Sequence, residues 1–321
     1  MSYSHEYNAI ESLIGCAYHE AALKMHLADS ELCILYTLHT HGPGCLQSTL
    51  YKETGLTKTT VNSALKKLEK GGTLYLTPGP GRKRSAEELK AIAEEAARRF
   101  DDRGLYGNHT EIDPAEVLAW AGETFGDALA VACSMANTVV PEMTAPHAPG
   151  VDVLFLDTGY HFSETVGVRD ALAATPGLNV VDVRSPASIA EHEAVLGDRP
   201  FETDPELCCR LRKVEPLDAA LSGYEAWITG VRRVDTDHRA GAGIVEWDAK
   251  HGMVKINPLV AWTLERVHNY ADEHGCLLNP LLDDGYPSIG CEPCTHRVEA
   301  GADPRSGRWA GSSKTECGIH L

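Results

Sequence analysis

The spacing of apolar positions divides the chain into two stretches of different rhythm. In the first, apolar residues recur at helical intervals: SELCILYTLHTHG begins at Ser30 and ends at Gly42, LQSTLYKETG ends at Gly55, and TKTTVNSALKKLEKGG puts Val61, Leu65 and Leu68 on one face, with Thr57 placed to cap it. A strand-like TLYLTPG and a basic tip, PGRKR, follow, so the pattern predicts helix, turn, helix and strand. Arg84 then leads into SAEELKAIAEEAARRF, read as a helical, acidic linker. Beyond it, short continuous apolar runs alternate with helical stretches: ALAVAC, VDVLFLDTG, LNVVDV, EAWITG and MVKINP. Continuous rather than alternating apolar character predicts strands covered on both faces, and the alternation with helices predicts βαβ units in an open, mostly parallel sheet. The fold class expected is α/β behind a smaller, mainly α amino-terminal domain, with domains at residues 1–84 and 85–321.

In open sheets of this kind ligands sit at the carboxyl ends of strands. That rule singles out Cys133, Ser134 and Met135 after the first run, Asp157, Thr158 and Gly159 after the second, and Gly230 with Arg232 and Arg233 after ITG. Small and hydroxyl residues between a strand and a helix suit an oxyanion, because backbone amides and the helix dipole face it there.

Charge changes the picture at the same boundary. Residues 1–84 hold nine Lys and Arg against seven Asp and Glu, whereas residues 85–321 hold 20 against 39. An acidic second part argues against general nucleic-acid affinity, and an anionic substrate would need local basic clusters such as Arg210 to Lys213, Arg232 and Arg233, or Arg305 and Arg308. No apolar run approaches the roughly 20 residues a membrane helix requires, and MSYSHEYNAIESL has no basic stretch followed by a hydrophobic one, so a cytoplasmic location is expected. Ten cysteines without an export signal then point to reduced thiols, metal ligands or catalysis rather than a disulfide scaffold.

The cysteines form a pattern: a vicinal pair, Cys208 and Cys209, a C-x-x-C pair, Cys291 and Cys294, and Cys317 near the end. Four thiolates from two distant segments can hold a metal or an iron–sulfur centre, and a leftover thiol is a candidate nucleophile. The spacing is not that of a zinc ribbon. A vicinal pair suits the separate corners of a cubane better than one small tetrahedral ion.

The strings CCRLRKVEPL, WITGVRR, GYPSIGCEPC, DPRSGRW and KTECGIH resemble those of the assimilatory adenylyl-sulfate reductases, the iron–sulfur branch of the sulfonucleotide reductase family, over residues 85–321. The resemblance implies a sheet of adenine-nucleotide-hydrolase (PP-loop) type, with the loop at Ser134 and the LDTG segment in a nucleotide pocket. Here Cys133 interrupts the usual serine-rich loop, and Asn137 stands where an acidic residue is common. It further implies a [4Fe-4S] cluster on Cys208, Cys209, Cys291 and Cys294, with Arg210, Arg212 and Lys213 compensating its charge and Lys213 also facing substrate. Arg239, Arg305 and Arg308 are placed by it around the phosphosulfate. The activity implied is reduction of adenosine 5'-phosphosulfate to sulfite and AMP through an S-sulfo adduct on Cys317, carried by a tail over residues 303–321 and served by thioredoxin or a glutaredoxin. Lys314 and His320 favour the Cys317 thiolate while Glu316 opposes it. A homo-oligomer is compatible with this reading. Two other readings stand beside it: reduction of the 3'-phosphorylated analogue, although relatives restricted to that substrate generally lack the four cluster cysteines, and an iron–sulfur transcriptional sensor, which would not need Cys317, Lys213, Arg305 and Arg308.

The first 84 residues resemble a truncated winged helix-turn-helix of the MarR type, which would turn Lys58, Thr59, Thr60, Asn62, Ser63 and Lys66 toward a DNA groove. The missing return strand and dimerisation elements argue against DNA binding.

Overall fold

In the computed structural model, residues 15, 17–41, 50, 53–74, 83–107, 111–299, 301–309, 314, 316, 318 and 319 are described. The chain separates into two units, Met1–Gly79 and Pro80–Leu321.

The first unit contains α1 (Asp29–His41) and α2 (Lys58–Lys70). Thr57 caps α2, its hydroxyl accepting from the Thr60 amide at 3.2 Å. Val61, Leu65 and Leu68 are buried with Ile34 and Leu50, which is the shared face the spacing predicts. A Lys67–Glu31 ion pair of 2.8 Å adds a second tie between the helices. Thr59, Ser63 and Lys66 are exposed, whereas Thr60 and Asn62 are half-buried. Most of the expected strand TLYLTPG and its basic tip lies outside the described residues.

The second unit opens with α3 (Ala86–Arg99), started by a reciprocal Ser85–Glu88 capping box. Leu89, Ala93 and Ala96 of α3 are buried against the edge of the sheet formed by its last two strands. The helix read as a linker is therefore a cover of the sheet. Asp113 caps α4 (Pro114–Phe125), with proline at its first position, where no amide is missed. Six strands follow: β1 (Leu129–Ala132), β2 (Val151–Asp157), β3 (Leu178–Arg184), β4 (Ala226–Ile228), β5 (Val245–Asp248) and β6 (Met253–Ile256). Their order is β3-β2-β1-β4-β6-β5, parallel throughout except for the β5–β6 pair. The five apolar runs each give a strand; β5 is additional.

Strand residues alternate between two cores. Val131, Val153, Phe155 and Ile228 join the cluster that includes α3 and α4, while Ala130, Leu154 and Trp227 face Leu217 and Leu221 on the other side. Glu225, just before β4 and 1% exposed, accepts from the Lys83 and Arg84 amides at 2.6 and 2.7 Å and pairs with the Arg84 guanidinium. This fastens the start of the unit to the middle of its sheet. Among the described residues no helix is long and apolar enough to cross a membrane.

Candidate active site

From β1 the chain builds β2 and β3 on one side, then returns to place β4 on the other. The loops leaving the carboxyl ends of β1 and β4 diverge at such a point and leave a crevice. A cavity of about 420 Å³ opens there, a volume suited to a nucleotide-sized ligand. Cys133, Ser134 and Asn137 line it from the β1 loop, and Thr229, Gly230 and Arg232 from the β4 end. Its apolar lining includes Val140 and Pro141 from α5 (Val139–Thr144) and Leu264 and Val267 of a later helix, Leu264–His274. Lys213, Arg239, Arg305 and Arg308 line the same cavity.

The β1 loop is shaped by its own thiol. Cys133 Sγ lies 3.4 Å from both the Asn137 carbonyl and the Met135 amide, and burial pushes this thiol up to about 11. Met135, fully buried at φ +61°, accepts at its carbonyl from the Asn279 side-chain Nδ2 at 3.1 Å. Ser134 is thereby the exposed residue of the turn. Met135 itself supports the loop from behind and is not part of the cavity wall.

The arginines are held by carboxylates and carbonyls. Arg232 Nη2 donates to Asp235 at 2.6 Å, Arg239 bridges Asp235 and Glu316 at 3.4 and 2.8 Å, and Arg305 reaches Glu316 at 3.3 Å. Arg308 donates to the Ile289 carbonyl at 3.1 Å. Arg232 Nη1 and Arg239 Nε are buried without a hydrogen-bond partner among the described residues, which leaves donors for a bound oxyanion. Burial would raise the Glu316 carboxyl, but the bond and charge of Arg239, helped by Arg305 and Thr236, hold it below the usual carboxylate range. Arg233 is elsewhere: its guanidinium makes two bonds to Asp102, at 2.7 and 2.8 Å, and a third to the Ala242 carbonyl. It does not line the cavity.

Behind Lys213 lies the sulfur cluster. Cys208 and Cys209 end the short helix Pro205–Cys209, capped by Asp204, and the chain continues through a widened π turn, Arg210–Val214, closed by the Glu215 amide on the Arg210 carbonyl. Such i to i+5 turns are rare and recur at functional sites. Cys291 caps the turn Glu292–Cys294 and Cys294 ends it. All four cysteines are buried, and Cys209, Cys291 and Cys294 share an apolar cluster with Trp309. Burial, then the charges of the other three sulfurs, push the Cys208 thiol up to about 12, and burial, then Cys291, raises Cys294 to about 11. Cys291 goes the other way. Burial opposes its ionisation, but the Lys213 charge, the Thr158 hydroxyl 3.2 Å from Sγ and the Arg308 charge bring the thiol below its ordinary value. Four soft thiol donors from two segments, with cations beside them, fit an anionic polynuclear cluster. Among the described residues no three ligating groups close on a single ion.

Lys213 and Cys291 line the cavity as well, so sulfur site and cavity share a wall. Arg212 is buried and donates to the Thr158 carbonyl at 2.6 Å and toward His192 Nδ1 at 2.9 Å. Arg210 departs from expectation: its side chain is 62% exposed and paired with Glu215. Asp157, Thr158 and Gly159 also depart. Asp157 is engaged by Arg184 and the Gly159 amide, Thr158 by Cys291, and none of the three lines the cavity. Cys317 and His320 lie outside the described residues. Glu316 and His268 line the cavity but carried no binding role in the sequence reading. Glu316 stood in a quoted motif, but nothing there indicated that it would meet arginines; His268 follows Leu264 and Val267 at helical spacing.

Residues 122–297 match the family model described as the phosphoadenosine phosphosulfate reductase domain, and residues 27–85 match the model of the MarR family. The chain is 51% identical over 237 residues to an adenosine 5'-phosphosulfate reductase of Streptomyces coelicolor, covering 74% of this chain and 97% of that one. It is 52% identical over 234 residues to that of Mycolicibacterium smegmatis, covering 73% and 95%. The crystal structure of phosphoadenylyl-sulfate reductase from Candida auris, a phosphate complex, superposes with a TM-score of 0.52 at 30% identity, covering 66% of this chain and 98% of that one.

Proposed function

The chain belongs to the phosphoadenosine phosphosulfate reductase family, and on that footing we propose that it reduces adenosine 5'-phosphosulfate to sulfite and AMP through a cysteine S-sulfonate. One observation carries this reading: a single crevice at the ends of β1 and β4 is lined both by apolar residues fit for a base, among them Val140, Leu264 and Val267, and by Lys213, Arg232, Arg239, Arg305 and Arg308 for a phosphosulfate. Identity of about half to relatives named for the 5'-phosphosulfate, against 30% to one named for the 3'-phosphorylated substrate, favours the former.

In this reading the guanidinium groups bind the sulfate and phosphate oxygens, where their planar forks can donate two bonds each. Lys213 neutralises charge on the sulfate, which eases approach of an anionic nucleophile. The Cys317 thiolate attacks sulfur. A Cys317 Sγ–S bond forms, the S–O bond to phosphate breaks, and AMP departs with the electron pair, a leaving group that needs no strong acid. A thiolate of an external dithiol protein, thioredoxin or a glutaredoxin, next attacks Cys317 Sγ and expels sulfite with the S–S electron pair. Its second thiolate then resolves the mixed disulfide, so the donor is oxidised and Cys317 restored. His320 is assigned to favouring the Cys317 thiolate, whereas Lys314, expected to do the same, is paired with Glu206 at 2.7 Å.

Cys208, Cys209, Cys291 and Cys294 would hold a [4Fe-4S] cluster, which would supply a fixed, charged frame at the wall that Lys213 and Cys291 share with the cavity. The reading places the enzyme in the cytoplasm, where reduced dithiol proteins are supplied. The amino-terminal unit is assigned no DNA-binding role.

The test is anaerobic purification, iron and sulfide analysis, and a sulfite assay with adenosine 5'-phosphosulfate and thioredoxin. Mass spectrometry should find one added SO3 on the Cys317 peptide, and Cys317→Ser should keep iron and lose both adduct and sulfite. An adduct elsewhere, or loss of iron in Cys317→Ser, would overturn the assignment.

A further inference from the structure

Glu316 directly precedes Cys317, and its buried carboxylate sits among the cations of the cavity. Its oxygens lie 2.8 Å from Arg239 Nη2, 3.3 Å from Arg305 Nη2 and 3.1 Å from Thr236 Oγ1. Two guanidinium groups and a hydroxyl converging on one carboxylate form the donor set that a sulfate or phosphate oxygen uses. A second anion in that seat would meet like charge at close range in a poorly solvated wall.

We propose that Glu316 is an internal competitor of the substrate: its carboxylate occupies the oxyanion seat of Arg239, Arg305 and Thr236, and the phosphosulfate binds by displacing it. The inference rests on the proposed function and adds to it a residue that sets substrate affinity. The segment is fastened on both sides of Glu316 by other means. Lys314 Nζ pairs with Glu206 at 2.7 Å, and Ile319 packs on the apolar cluster of Leu217 and Trp227. Glu316 can therefore leave its seat while Lys314 and Ile319 keep theirs. The competition falls only on the charged part of a ligand, so a nucleoside without the anion is bound as well with Glu316 in place as without it.

The test uses the full chain with Cys317→Ser, which blocks turnover, compared with Cys317→Ser/Glu316→Gln by calorimetric titration of adenosine 5'-phosphosulfate and of adenosine. Removing the competing charge should tighten the phosphosulfate about tenfold or more while leaving adenosine unchanged. Glu316→Asp, which keeps the charge on a shorter stem, should fall between. If the Gln substitution abolishes adenosine binding through misfolding, Glu316→Ala gives the same comparison. Equal or weaker phosphosulfate affinity in the neutral variants overturns the inference. Failure of Cys317→Ser itself to bind the phosphosulfate would instead bring down the proposed function, and the inference with it.

Discussion

Arg308 lies against the bare backbone of Gly290: a Cβ there would come within 2.1 Å of Nη2 and 2.4 Å of Cζ. Gly290→Ala cannot coexist with this placement, yet the obstructing atoms end a flexible side chain that can swing away at little cost. The expected outcome is a KM for adenosine 5'-phosphosulfate raised roughly tenfold or more, the loss of one charge-assisted contact, with melting temperature and iron content unchanged. Steady-state kinetics on the variant check it; an unchanged KM would remove Arg308 from the substrate.

Gly122 gives the opposite case. A Cβ would meet the His147 carbonyl oxygen at 2.2 Å, and backbone in this core cannot yield as a side-chain tip does. Gly122→Ala should destabilise the protein by about 1–3 kcal/mol or more, read as a lowered unfolding temperature. Equal stability would mean that α4 shifts freely.

The buried Glu225 carboxylate depends on Arg84 and on two backbone amides. Arg84→Ala leaves the charge buried with the amides alone, a loss of about 2–4 kcal/mol. Thermal unfolding measures it, and Glu225→Gln with Arg84→Ala should lose less than Arg84→Ala by itself.

His251 is clasped by Asp248 at Nδ1, 2.7 Å, and Asp218 at Nε2, 2.8 Å, with Lys250 also on Asp218 and the Trp227 indole on Asp248. The Asp248 bond raises its pKa, burial opposes this, and Asp218 adds to the rise. Since the folded pKa lies above the unfolded value of about 6.5, the stabilisation is complete below that pH and disappears as pH climbs through the folded value. The gap in melting temperature between parent and His251→Gln should be widest below the unfolded value of about 6.5 and shrink as pH rises above it. A gap that widens with pH would refute the ion-pair account.

The strands buried on both faces were plain in the sequence because their apolar runs are continuous. The edge strand β5 was not: in Val245–Asp248 two acidic residues break the apolar run, and Val245 alone is buried. The site was legible in its cysteines and arginines and blurred in its directions. Arg232 is extended, at φ −127° and ψ 142°, so its side chain and that of Arg233 must diverge, one into the cavity and one to Asp102. Asp157, Thr158 and Gly159 end a strand one place away from the reversal between β1 and β4, which is why Thr158 meets Cys291 rather than the crevice. Glu316 illustrates the remaining gap, since pairing across 77 residues with Arg239 depends on tertiary folding and leaves no local mark.

The π turn at Arg210–Val214 changes the phase of the segment that contains it. Upstream, Cys208 and Cys209 look toward the sulfur site; downstream, Leu217 and Leu221 look toward the sheet. A regular helix advances about 100° per residue, so deleting one residue from the turn would rotate the two halves against each other by more than a quarter circle. Either the thiols or the leucines would then lose their targets. The segment can accept changes of side chain far more readily than a change of length.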